Sequence, residues 1–264
     1  MDKKIRVSVI GSGNVAWHLA PELDNHGYFV TEVYSRDPTN AQKLINRLYN
    51  ASLKTNLDFS NSDSIVFIIA IADDNIIEIA KEIALPDEAI LVHTSGGQPL
   101  EVLDFASTEN IGVFYPLQTF SKNKKVKFTN IPICVETRND YTKDLLTTIG
   151  KKISNHVIFV KEEERKILHI AAVFACNFTN HMLTLSQDLT KSKDLDFGIL
   201  KPLIIETIEK ALDIGPDEAQ TGPAIRKDFQ IIQNHLANLE NNNDLKSIYN
   251  LITQHIINRY NYSN

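Results

Sequence analysis

The chain has 264 residues, 43% hydrophobic and 23% charged, enough for one large or two medium domains with a packed core. Its formal net charge of −6 excludes a general nucleic-acid binder or a protein held on acidic membranes, so an anionic ligand must be held by a local site. Two widely separated cysteines, Cys134 and Cys176, lack metal-ligand spacing, and the longest apolar run, 65–72, is far short of the roughly 20 residues that span a bilayer. The chain reads as soluble and cytoplasmic, with no nucleic-acid and no membrane partner.

The first element, Ile5 to Ile10, alternates as a strand does, and Val15 to Leu23 carries helical apolar spacing. Between them stands Gly11-Ser12-Gly13-Asn14-Val15-Ala16, a G-x-G-x-x-A turn. Gly11 permits a sharp turn at positive φ. Gly13 lets a pyrophosphate approach the backbone at a helix N-terminus, where unpaired N–H groups and the helix dipole favour an anion. Ala16 permits close helix–strand packing. Gly11, Ser12, Gly13, Asn14 and Val15 are thus the candidate dinucleotide cradle.

A second strand over 28–34 ends in Ser35-Arg36-Asp37. An acidic residue at this point selects NAD through the ribose, whereas a basic one accommodates a 2′-phosphate. Arg36 offers a guanidinium fork and Ser35 a hydroxyl, which favours NADP over NAD. Asp37 either pairs with Arg36 or reaches the ribose. A helix over 40–50 and a short strand near 51–53 follow.

The nearly all-apolar 64–71 reads as a central parallel strand, which places Ile71 and Ala72 along the cofactor. Asp73 and Asp74 read as a helix N-cap and its solvated neighbour. The strand 89–93 ends in Thr94-Ser95-Gly96-Gly97, a second candidate ligand loop. Its glycine pair frees backbone N–H groups to face a ligand. His93 is either a proton donor or a hydrogen-bonded core histidine. Strands over 111–115, 131–136 and 156–160, with a helix over 140–152, complete an alternating βα pattern. That pattern implies an α/β fold, a Rossmann-like doubly wound and mostly parallel sheet over 1–160.

From 161 the strand signals stop, and 161–264 reads as an all-helical domain. Helices are expected over about 162–189, 195–212, 222–239 and 244–261. At helical pitch Arg165, His169, Cys176 and Asn180 share one face of the first, with Asn177 at its edge. His169, in an otherwise apolar segment, needs a partner or a ligand. In Gln220-Thr221-Gly222-Pro223, Pro223 suits a first helical turn and Thr221 can cap it. Arg226 and Asp228 form an ion pair or hold a polar substrate.

Several stretches together resemble a bacterial family that joins a Rossmann-like, oxidoreductase-type nucleotide domain to a helical domain of unassigned function. They are the glycine turn, His93-Thr94-Ser95-Gly96, Tyr115-Pro116-Leu117-Gln118-Thr119-Phe120, 168–174, Asn177-Phe178 and Gln220-Thr221-Gly222-Pro223-Ala224. The layout is similar to pyrroline-5-carboxylate reductase and to the 6-phosphogluconate and β-hydroxyacid dehydrogenases. The resemblance implies NADP bound between the domains and a homodimer built through the helical domain. β-Hydroxyacid dehydrogenases carry a Lys-x-x-x-Asn pair on the first helix of their second domain. With Asn177 at the asparagine position, Val173 stands where that lysine would be, and His169 is the available substitute.

The reading that follows is an NADP-dependent oxidoreductase acting on a small polar carbonyl or imine compound at the domain interface. His169 exchanges the proton, with an unperturbed pKa of roughly 6.5, and Asn177 orients the substrate. Ser95, Gly96, Gln220, Thr221 and Arg226 bind the substrate, while Thr94 and Ser95 also border the nicotinamide. No metal is expected, because the eight histidines are scattered without ligand spacing. The alternatives are a non-catalytic NADP(H)-binding sensor and hydride exchange with the deazaflavin coenzyme F420.

Overall fold

A computed structural model describes residues 5–261. The chain divides into two compact units, one up to Asn177 and one from Phe178.

The first unit is built on eight strands: β1 (Arg6–Ile10), β2 (Phe29–Tyr34), β3 (Ser52–Lys54), β4 (Val66–Ile69), β5 (Ile90–His93), β6 (Ile111–Pro116), β7 (Ile133–Thr137) and β8 (Val157–Phe159). Their spatial order is β3-β2-β1-β4-β5-β6-β7-β8. All pair in parallel except β6 with β7. The order reverses between β1 and β4, the switch point outside whose carboxyl edge ligands bind in doubly wound sheets.

Helices α1 (Asn14–Asn25), α2 (Pro38–Ile45), α3 (Ile76–Glu82) and α4 (Asp140–Ile153) connect the strands. Alternation along β4 explains the two layers. Val66 and Ile68 join a core with α1, α2 and α4, whereas Phe67 and Ile69 join another with α3. Both faces are covered, so the strand is apolar throughout. The sheet closes at β8, and α5 (Glu162–Ala172) completes this unit. Three acidic residues open α5, where the helix dipole favours them.

A π-helical turn, Val173–Phe178, follows α5. Its i→i+5 bonding departs from the 3.6-residue repeat on which the predicted face rests. The single face predicted for Arg165, His169, Cys176 and Asn180 is therefore interrupted, and Cys176, Asn177 and Asn180 are exposed.

The second unit is all helical: α6 (Thr179–Lys191), α7 (Lys201–Ile214), α8 (Pro216–Ala219), α9 (Pro223–Arg226), α10 (Phe229–Asn238) and α11 (Asn243–Asn261). The helix predicted over 222–239 is broken. Lys227 takes φ 60°, ending α9 after one turn, and Asp228 starts α10. Among the described residues of this unit only Ala224, Ile232 and Thr253 are buried.

Candidate functional site

The residues predicted to hold a dinucleotide converge on the carboxyl edge of the parallel strands. Gly11 follows β1 at φ +122°, and a Cβ there would lie 2.2 Å from the Ala70 carbonyl oxygen, so only glycine fits. Gly13 is open, the nearest atom to a Cβ being 3.8 Å away. It caps α1 without a side-chain hydrogen bond, so no side chain competes with a ligand there. The hydroxyls of Ser12 and Ser35 meet at 2.9 Å, joining the ends of β1 and β2.

Arg36 donates from Nη2 to Asn75 Oδ1 at 3.0 Å. This bond links the ends of β2 and β4, which flank β1. Asp37 instead caps α2, accepting from the Thr39 N–H at 2.9 Å and from the Asn40 amide at 2.8 Å. The Arg36 pair raised for Asp37 is therefore not formed. Asp73 and Asp74 cap nothing: the chain enters α3 through a 3-10 turn, Asp73–Asn75, whose first cap is Ala72. Asp73 Oδ2 lies 3.6 Å from where a Cβ on Gly97 would stand.

The Thr94–Gly97 turn uses its polar groups differently from the prediction. The Ser95 N–H donates to Nδ1 of the buried His93, and the N–H groups of Gly97 and Gln98 donate to Ser95 Oγ. Thr94 reaches the Ile69 carbonyl through both its N–H and its hydroxyl. These donors are taken up inside the turn rather than facing a ligand. The glycine provides space instead. A Cβ on Gly96 would lie 2.7 Å from both Nδ1 of His169 and Cζ of Tyr115.

Strand register explains why these residues meet. Tyr115 on β6 stands opposite Cys134, and Val113 opposite Glu136, so Tyr115 and Glu136 project from one face. Residues 165 and 169 are one helical turn apart on α5. Arg165, fully buried, donates from Nε to Glu136 Oε2 at 2.9 Å. It donates from Nη1 to the carbonyls of Gly96 at 2.9 Å and Ser95 at 3.3 Å. One turn later, His169 Nδ1 is 3.1 Å from the Tyr115 hydroxyl. Two side chains of α5 thus fasten it to the sheet and to the Gly96 turn.

Electrostatics follow from this packing. Burial, and then the Arg165 charge, push His93 down to about 3, so it is a neutral acceptor and not a proton donor. Burial pushes the Tyr115 phenol up to about 12, helped by Cys134 and Asp73 and opposed by Arg165. Burial likewise raises the Cys134 thiol to about 11. Arg165 Nη2 is buried without a hydrogen-bond partner among the described residues.

His169, Ser95 and Gly96 are therefore brought together, with Tyr115 and Arg165, to which the sequence assigned no site role. Tyr115 was legible as the last aromatic residue of a strand whose carboxyl end faces the crevice. Asn177 lies exposed on the π-helical turn. Gln220, Thr221 and Arg226 belong to the second unit. Gln220 donates to the Thr221 carbonyl, and Gly222, not Thr221, caps α9. Arg226 pairs with Asp228 at 2.9 Å on the surface. Thr221 and Ala224 line an apolar cavity of about 370 Å³ with Leu185, Leu189, Ile252 and Ile256. Among the described residues no group of three side chains could hold a metal ion, and no helix is long and apolar enough to cross a membrane.

Residues 6–97 match the family model for NADP oxidoreductase, coenzyme F420-dependent, and residues 131–256 match a domain of unknown function, DUF2520. No curated protein matches the chain by sequence. Among solved structures, a Bacteroides fragilis protein, provisionally named an NADP oxidoreductase, is 37% identical. That match covers 97% of this chain and 98% of the other, with a TM-score of 0.90. The imine reductase of Myxococcus stipitatus in complex with NADP⁺ shares the fold at 14% identity, covering 95% and 92% of the two chains, with a TM-score of 0.67. The Plasmodium falciparum pyrroline carboxylate reductase with NADP bound does so at 14% identity, covering 98% and 97%, with a TM-score of 0.60. The chain thus belongs to the family of the Bacteroides protein, and in this chain the stretch matching the NADP oxidoreductase, coenzyme F420-dependent, model precedes the DUF2520 domain.

Proposed function

We propose that this chain is an NADP-dependent oxidoreductase that moves a hydride to or from a small polar carbonyl or imine compound. The observation that carries the reading is the half-buried imidazole of His169 against the Gly96 turn. That turn lies on the same sheet edge as the Gly11–Gly13 cradle.

The residues present fit the nucleotide. Gly13 leaves open space at an uncapped helix N-terminus, where Gly11, Ser12, Asn14 and Val15 would complete a pyrophosphate cradle. Ser35 and Arg36 would hold the 2′-phosphate, Ile71 and Ala72 would lie along the cofactor, and Thr94 and Ser95 would border its reactive end. Bound NADPH supplies a hydride. Reduction of C=O or C=N also takes up one proton at the oxygen or nitrogen, and His169 supplies it. In the oxidative direction His169 receives that proton. Asn177 orients the substrate. Relatives bearing reductase names, among them the imine and pyrroline carboxylate reductases, support this reaction class.

The test is nucleotide consumption against a panel of carbonyl and imine compounds, with reduced coenzyme F420 as an alternative hydride donor. His169→Ala is expected to lower turnover at least tenfold with NADPH affinity unchanged, as loss of a general acid does. Equal activity removes His169 from the reaction. Tight binding without turnover throughout the panel makes the chain a nucleotide-responsive binding protein instead.

The assembly proposed is a homodimer through the helical unit. Three buried residues do not make a core for a unit of this size, and α7 exposes Leu203, Ile208 and Leu212 at 63%, 45% and 81%. A second copy covers such apolar faces. Sedimentation equilibrium is expected to give twice the chain mass, and a monomer at micromolar concentration contradicts it.

A further inference from the structure

We propose that Tyr115 is a positioning residue that donates its phenolic proton to Nδ1 of His169 and so makes Nε2 the proton-bearing nitrogen. The inference rests on the reading of His169 as the proton-exchanging group: as Nε2 gives its proton to the substrate, Nδ1 takes the Tyr115 phenolic proton across the 3.1 Å bond, so the ring stays neutral and the tyrosinate regains a proton from solvent. The oxidative direction runs the same transfers in reverse.

Three observations carry it. The Tyr115 hydroxyl lies 3.1 Å from Nδ1, and a phenol is a good donor but a poor acceptor, whereas a neutral imidazole nitrogen accepts strongly. Gly96 then roofs this bond. A Cβ there would sit 2.7 Å from Nδ1, so the turn closes that side of the ring to any ligand. Finally, Nε2 has no hydrogen-bond partner among the described residues, while the ring as a whole is only partly buried. One nitrogen is occupied and covered, the other free. The hydrogen bond on one ring nitrogen decides which nitrogen carries the proton.

The surroundings hold this arrangement in place. Arg165 ties the Gly96 carbonyl to Glu136, and its helical step to His169 fixes the ring over Tyr115. The charged and titratable groups around Tyr115 are Arg165, Asp73, Cys134 and Cys176. Burial of the phenol keeps it protonated, as donation to Nδ1 requires.

The experiment is a two-bond ¹H–¹⁵N correlation spectrum of the full chain labelled at histidine, with His169 assigned by its loss in His169→Gln. No nucleotide or substrate is added, so the outcome is independent of whether the chain turns over. In the native protein His169 is expected as the Nε2–H tautomer alone. Tyr115→Phe is expected to give the mixed Nε2–H and Nδ1–H population of a free imidazole. An Nδ1–H tautomer in the native protein, or an unchanged single tautomer in Tyr115→Phe, overturns the proposal. If Tyr115→Phe does not fold, 3-fluorotyrosine incorporation serves: its more acidic phenol must move the Nδ1 resonance, and an unmoved resonance overturns the proposal. A purely structural contact predicts no change of tautomer.

Discussion

Arg165 donates to the carbonyl of Gly96, 69 residues earlier in the chain, at 2.9 Å. Through this bond and its ion pair with Glu136, one fully buried guanidinium joins α5, the β5 turn and β7. A planar fork with several donors can do this, and a lysine ammonium cannot reproduce it.

Arg165→Met should therefore leave the Glu136 carboxylate without its partner and release the Gly96 turn. The loss expected is about 3 kcal/mol, the scale of breaking a buried pair by removing one member. Urea unfolding measures it, and Arg165→Lys should recover less than half. A variant as stable as the native chain would show that the clamp contributes nothing to the fold.

Gly96→Ala tests the packing beside His169. A Cβ there meets His169 Nδ1 and Tyr115 Cζ at 2.7 Å, so the ring, the phenol or the turn must shift. Overpacking of this kind costs about 1–3 kcal/mol. Turnover should fall at least tenfold, because the ring that exchanges the proton is displaced. Retained turnover would place the reacting atoms away from His169.

His93 carries a pH signature. Its folded value of about 3 lies below the ordinary 6.5, so between these values the unfolded chain binds more protons than the folded one. The neutral form's contribution to stability is complete above pH 6.5 and is lost as pH falls toward about 3. The slope is at most roughly 1.4 kcal/mol per pH unit. His93→Gln keeps an acceptor for the Ser95 N–H and removes the titration. Unfolding free energies of the two proteins should therefore diverge on acidification, and parallel curves would contradict the burial of a neutral His93.

Asn75 holds Arg36 at 3.0 Å across the end of β1. In Asn75→Asp the new carboxylate would pair with Arg36 and repel a 2′-phosphate. NADPH affinity should fall about tenfold, on the scale of a charge-assisted contact, with NADH affinity little changed. Equal loss for both nucleotides would assign Asn75 to general nucleotide binding rather than to phosphate selection.

The strands and the glycine cradle were legible because their signals are local: alternation, an apolar central strand and a glycine required at φ +122°. The π-helical turn was not, because nothing in 173–178 breaks the 3.6-residue spacing on which the predicted face of His169 and Asn180 rested. Lys227 hid the break after α9 in the same way, being a non-glycine residue at positive φ. The Arg165–Glu136 and Tyr115–His169 pairs were out of reach for another reason. They depend on the antiparallel register of β6 and β7, which pairs residues 17 to 25 positions apart. Charge type alone does not reveal which arginine is buried.

Calorimetric titration of the native chain with NADPH and NADH, beside Arg36→Ala, tests for an NADP site on the carboxyl edge of the sheet. The prediction is NADPH binding with a clear preference over NADH that collapses in Arg36→Ala. Failure of both nucleotides to bind the native chain would reduce the Gly11–Gly13 turn to a structural element and contradict the proposed function.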